Sequence, residues 1–146
     1  APTADNSLGI TIMSGHTITV TAGNPAIADQ LTITNAANTA LTIASGATLT
    51  IANGLGNDLT IAGTTARLNI NGTLSNTGVI SGSTAATTIV NGTYEHAQNG
   101  GTIPTATWNT GSTCLVSGVT STVPAGMQAF RNFTWNCPSQ SAVISL

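Results

Sequence analysis

Four carboxylates, two histidines and two cysteines are the residues of this 146-residue chain best suited to acid-base, metal or thiol chemistry. Asp5, Asp29, Asp58 and Glu95 stand 24, 29 and 37 positions apart, whereas paired-carboxylate catalysis needs two acids converging on one bond. His16 and His96 could join Cys114 around a metal, but no two of them have the close spacing of a zinc site. Each histidine therefore reads as a lone turn residue. Gly54-Leu55-Gly56-Asn57-Asp58 is a single imperfect echo of the calcium-binding glycine-aspartate repeat, and it lacks the third glycine of a dinucleotide loop. No Gly-x-Ser-x-Gly elbow presents a nucleophile. The sequence assigns no catalytic residue, metal ligand or cofactor, and the expectation is a protein that is not an enzyme.

Charge excludes further classes. Only 4% of residues are charged, lysine is absent, and the two cations, Arg67 and Arg131, lie 64 positions apart. Neutralising a phosphate backbone takes several cations on one surface, so no nucleic acid partner is expected. Every apolar stretch is broken within a few positions by Thr, Ser, Asn or Gly, so no segment reaches the roughly 20 apolar residues of a membrane-spanning helix. The hydrophobic fraction of 40% is aliphatic, with aromatics at 3%. That composition favours thin stacked layers over a broad globular core.

Internal repetition supplies those layers. Leu-Thr-Ile begins at Leu31, Leu41, Leu49 and Leu59 and returns as Leu68-Asn69-Ile70. Taken two at a time the steps are 18, 18 and 19 residues, and Gly72-Thr73, Gly92-Thr93 and Gly111-Ser112 continue at 20 and 19. Within each triplet Leu and Ile share one face while Thr takes the other, the period of a half-buried strand. Gly and Asn between triplets supply corner conformations. The expected fold is all-β: a single right-handed parallel β-helix over residues 1–146, with about 18–20 residues per coil. An antiparallel β-sandwich is the alternative. In the β-helix, Leu31, Leu49 and Leu68 stack as one inner wall and Leu41 and Leu59 as a second. The four acids, not separated by whole coils, fall on different faces.

Ile10-Thr11-Ile12-Met13-Ser14-Gly15-His16-Thr17-Ile18-Thr19-Val20, Ala47-Thr48-Leu49-Thr50-Ile51 and Asn91-Gly92-Thr93-Tyr94-Glu95-His96 resemble segments of large repetitive cell-surface proteins of Bacteroidota. Those proteins are similar to filamentous-haemagglutinin-like adhesins in their β-helical coils. The resemblance covers Ile10 to Trp135. It implies export through the type IX secretion system and a secreted, extracellular or cell-surface location.

Several sites follow as expectations. Cys114 and Cys137, a little over one coil apart, are expected to form a disulfide. Thr32, Thr34, Thr48 and Thr50 offer a short surface ladder of the kind an ice-binding or carbohydrate-binding β-helix would use. Three sequons, at Asn71, Asn91 and Asn132, read as chance matches in an Asn- and Thr-rich chain. Tyr94, Trp108, Phe130, Phe133 and Trp135 form either a plug or a sugar-stacking platform, with the plug preferred. Ser141–Leu146 reads as an apolar alternating strand that stops mid-coil. Val143, Ile144 and Leu146 then mark an end where further coils continue or subunits join head to tail. The expected role is a structural subunit or segment of an extracellular fibre or filamentous adhesin, with glycans among its partners.

Overall fold

The computed structural model describes residues 9–145, so Asp5 and Leu146 lie outside the described residues. In chain order the strands are β1 (Ile10–Ile12), β2 (Thr17–Val20), β3 (Ala26–Ala28), β4 (Leu31–Ile33), β5 (Ala40–Ile43), β6 (Thr48–Ile51), β7 (Leu59–Ile61), β8 (Arg67–Ile70), β9 (Thr73–Asn76), β10 (Ile80–Ser81), β11 (Thr88–Val90), β12 (Thr93–His96), β13 (Thr107–Trp108), β14 (Thr113–Val116) and β15 (Asn132–Trp135). They build three sheets: β1-β4-β7-β10, β2-β5-β8-β11-β13 and β3-β6-β9-β12-β14-β15. Every pairing is parallel. The fold is a parallel β-helix of about six turns. At the strand spacing of about 4.8 Å, six turns make a rod roughly 30 Å long.

The register regroups the stacks read from the repeat. Leu31 pairs with Leu59, Leu41 with Leu68, and Leu49 with Leu74. Successive Leu-Thr-Ile triplets therefore occupy three successive sheets, and there are three inner walls where the sequence suggested two. A coil carrying three strands and three corners takes 21–23 residues at the first step and 25–28 at the next, where those pairs lie. Farther along, the four-stranded sheet ends at β10 and that side of the coil becomes irregular. There the step falls to about 20: Leu74 pairs with Tyr94 and Tyr94 with Cys114. Inside, the walls are aliphatic, with Ile33, Ile43, Ile51, Leu59, Leu68 and Ile70 fully buried.

Between the second and third sheets the corners recur as Asn-Gly. Gly72 carries no Cβ because one would lie 2.2 Å from the Ala44 carbonyl, and at Gly92 one would lie 2.2 Å from the Gly72 carbonyl. Coils touch backbone to backbone here, and only glycine fits. Outside this column the asparagines form a ladder of their own: Asn91 donates to Asn71 and Asn109 donates to Asn91, each at 2.7 Å.

Candidate functional site

The corner between the six-stranded and four-stranded sheets holds the nearest approach to acid chemistry. Asp29 follows β3 and Asp58 precedes β7, which places their carboxyl groups together at one corner on adjacent coils. The expectation that the acids fall on separate faces is thereby corrected for this pair. Their separation of 29 is close to one local coil of 28 residues, the step from Leu31 to Leu59. Asp58 is fully buried, and its oxygens accept from the Gly54 amide at 2.8 Å and the Val79 amide at 2.6 Å. Asp29 is held above the ordinary carboxylate value, first by its hydrogen bond to Asp58, then by desolvation and by the Asp58 charge, while the Gln30 amide lowers it. Gly54 and Gly78 close the corner, since a Cβ on either would strike a carboxyl group. Glu95 stands apart on the outer face of β12 and accepts from the Ser117 hydroxyl at 2.8 Å.

A second polar group lies in the lumen. Tyr94, His96 and Asn76 are fully buried among aliphatic walls. His96 Nε2 donates to the Gly100 carbonyl at 2.7 Å, which leaves Nδ1 to accept from the Tyr94 hydroxyl at 3.2 Å. That hydroxyl accepts in turn from Asn76 Nδ2 at 3.1 Å, and Asn76 is closed by two bonds to Gly78. Burial lowers the His96 value, opposed by the Gly100 bond, and burial raises that of Tyr94. The sequence named Tyr94 as a plug residue and His96 as a lone turn residue, a reading corrected by its buried place on β12; it could not join them to Asn76, because the coil step that brings Asn76 over His96 comes from the register. Among the described residues no three of His, Cys, Asp and Glu gather as a metal-binding group.

The cysteines are free. Cys114 sits on the inner face of β14 opposite Phe133, at a step of 19, and burial pushes its thiol up to about 12. Cys137 lies beyond the strand, where its sulfur faces the Val116 carbonyl at 3.4 Å. The disulfide is thus corrected: a separation of 23 overshoots the local coil and carries Cys137 past its partner.

The surface threonines divide. Thr32 stands in the column Thr11, Thr32, Thr60, Ser81 on the first sheet, and Thr34 bonds to the Ile12 carbonyl. Thr48 and Thr50 belong to the third sheet. There Thr48 begins an unbroken column with Thr73, Thr93 and Thr113, while Thr50 is followed by Ser75, Glu95 and Leu115. The expected four-residue ladder is therefore split between two sheets, with Thr32, Thr48 and Thr50 in three different columns.

The ends of the rod are apolar. At the first coil Ile10, Ile12, Ile18, Val20, Leu31 and Leu41 line an open hollow of about 470 Å³. At the other end an aromatic chain runs outward from the lumen: Trp108 packs edge-on against Tyr94 and against Phe130, and Phe130 stacks on Phe133 at 5.4 Å. Phe133 holds an inward register position on β15, so its exposed ring closes the lumen as a plug. Ser141–Ser145 forms no strand. Pro138 and a turn from Gln140 to Cys137 redirect the chain, and Ser141 bonds back to Thr120. Val143 is exposed and Ile144 packs toward the core, so the terminal strand edge belongs to β15.

These features define the class as a three-sided parallel β-solenoid with a largely aliphatic lumen. Comparison with known protein families, curated proteins and solved structures finds no match to this chain. Among the described residues no helix is long and apolar enough to cross a membrane.

Proposed function

We propose that this chain is a non-catalytic, extracellular structural unit, a segment or subunit of a cell-surface fibre or filamentous adhesin. The observation that supports it is the pair of end faces. β1, β2 and β3 at one end and β15 at the other are outer strands of parallel sheets, each with one edge unpaired among the described residues. Apolar groups flank both edges, with inward-facing Ile18 exposed at one end and Phe133 at the other. Another coil of the same geometry would extend the ladders and bury these side chains. A net charge of -2 opposes such stacking little. Electron microscopy of the native material tests the reading through its axial repeat. Rods joined end to end support assembly on these faces; discrete particles at every concentration count against it.

A second reading, ice binding, is favoured by the column Thr48, Thr73, Thr93, Thr113, whose hydroxyls recur at the coil spacing. Thermal hysteresis lost on Thr73→Val and Thr93→Val would support it, and absence of hysteresis and of ice shaping would end it.

A further inference from the structure

A polar cleft of about 410 Å³ opens at the corner between the first two sheets, lined by Thr17, Asn38, Thr39, Ala40, Thr65 and Arg67. Its shape follows from register. Thr17, Ala40 and Arg67 are consecutive members of one outward column, and the alanine methyl leaves a notch between the longer side chains. Arg67 is held before any ligand arrives. Its Nη1 donates to the Thr64 and Ala66 carbonyls, both at 2.9 Å. The turn bearing those carbonyls is fixed by Asn35, whose Oδ1 accepts from the Thr64 amide, the Thr65 amide and the Thr65 hydroxyl. Among the described residues, Nε and Nη2 have no hydrogen-bond partner.

We infer that this cleft binds the carboxylate of an acidic sugar. A guanidinium with an unspent edge matches a carboxylate in bidentate fashion. The remaining lining is hydroxyl and amide, which suits the hydroxyl groups of a uronic acid better than the apolar flank of an acidic peptide. The acid pair is at a different corner, before β7 rather than before β8, so the cleft carries the cation without a built-in carboxylate. Fixing the side chain in advance removes part of the ordering entropy that a free arginine would lose on binding. This site would give the adhesive form of the proposed function a ligand class, and it rests on that reading only for its biological setting.

The test is titration of the whole chain, followed by amide chemical shifts, with galacturonic acid, galactose, acetate and a short aspartate-containing peptide as probes. Galacturonic acid should bind at least about tenfold more tightly than galactose, as a charge-assisted pair contributes. Its shifts should map to Asn38, Thr65 and Arg67, and raised salt should weaken it. Arg67→Gln should abolish that preference. Ala40→Leu, which fills the notch but keeps the arginine, should remove binding as well; both variants should keep the wild-type Tm. Equal binding of galactose, full binding by Arg67→Gln, or acetate or the peptide binding as well as galacturonic acid would each overturn the proposal. Failure here leaves fibre assembly untouched, because that is read from the end faces by microscopy.

Discussion

Asp29 and Asp58 stand carboxyl beside carboxyl across adjacent coils, with Asp58 wholly buried. No cation compensates the pair in the hydrogen bonds of this corner, where Asp58 is served by backbone amides. The contact is therefore an attraction while Asp29 is protonated and a repulsion once both groups ionise.

The first prediction concerns that proton. The folded-state value of Asp29 is raised above its ordinary 3.8. The stability it contributes is fully present below that value and is lost as pH rises through the folded value. Asp29→Asn replaces the titrating carboxyl with an amide that donates at every pH. Thermal unfolding near neutral pH should show a higher Tm for the variant than for the wild type, with the difference shrinking below pH 3.8. An equal or lower Tm near neutrality would show that the carboxyl groups do not meet.

His96 gives the opposite slope. Burial lowers its folded value below 6.5, so its neutral form belongs to the native state. Its contribution is present above 6.5 and is lost as pH falls through the folded value. Urea unfolding in the Asp29→Asn background, which removes the competing titration, should show stability declining as pH drops below 6.5. Tyr94→Phe should cost about 1–3 kcal/mol at neutral pH, since it leaves one Asn76 N–H and the His96 Nδ1 unpaired in the lumen. A flat pH profile would exclude a buried neutral imidazole.

Thiol accessibility is the third outcome. With both cysteines free, denatured protein should take up two alkyl groups without reductant, read by intact mass. In the native state half-buried Cys137 should react well before Cys114, whose thiol is buried and pushed up to about 12. A mass change that needs reductant would restore the disulfide.

The repeat made the architecture readable, and its period misled about the site. Leu-Thr-Ile alternation identifies a strand wherever it falls, so parallel strands with Gly and Asn corners followed directly from residues such as Leu31, Ile33, Leu59 and Ile61. What alternation lacks is the number of strands in a coil. Two triplets or three per turn satisfy the same local pattern, and only packing around a closed lumen selects three. From that one ambiguity came the misplaced acids, the divided threonine ladder and the missed Tyr94-His96-Asn76 group. The cleft at Arg67 was invisible for a related reason, because Thr17, Ala40 and Arg67 adjoin only at steps of 23 and 27.

Glycine substitutions test the register itself. At Gly111 the backbone has φ 88° and a methyl group there would point into open space, so Gly111→Ala should lose only the backbone contribution of about 1–2 kcal/mol. Gly92 has no positive φ, yet its new methyl would lie 2.2 Å from the Gly72 carbonyl and 2.6 Å from that of Asn71. Both neighbours are backbone and cannot rotate away, so the two coils must separate and the Asn71-Asn91 bond must stretch. Gly92→Ala should therefore destabilise by more than Gly111→Ala, as read by denaturant midpoints, despite its permissive backbone. The reverse order would mean that the coils do not stack Gly92 on Gly72, and the 20-residue step between them would have to be redrawn.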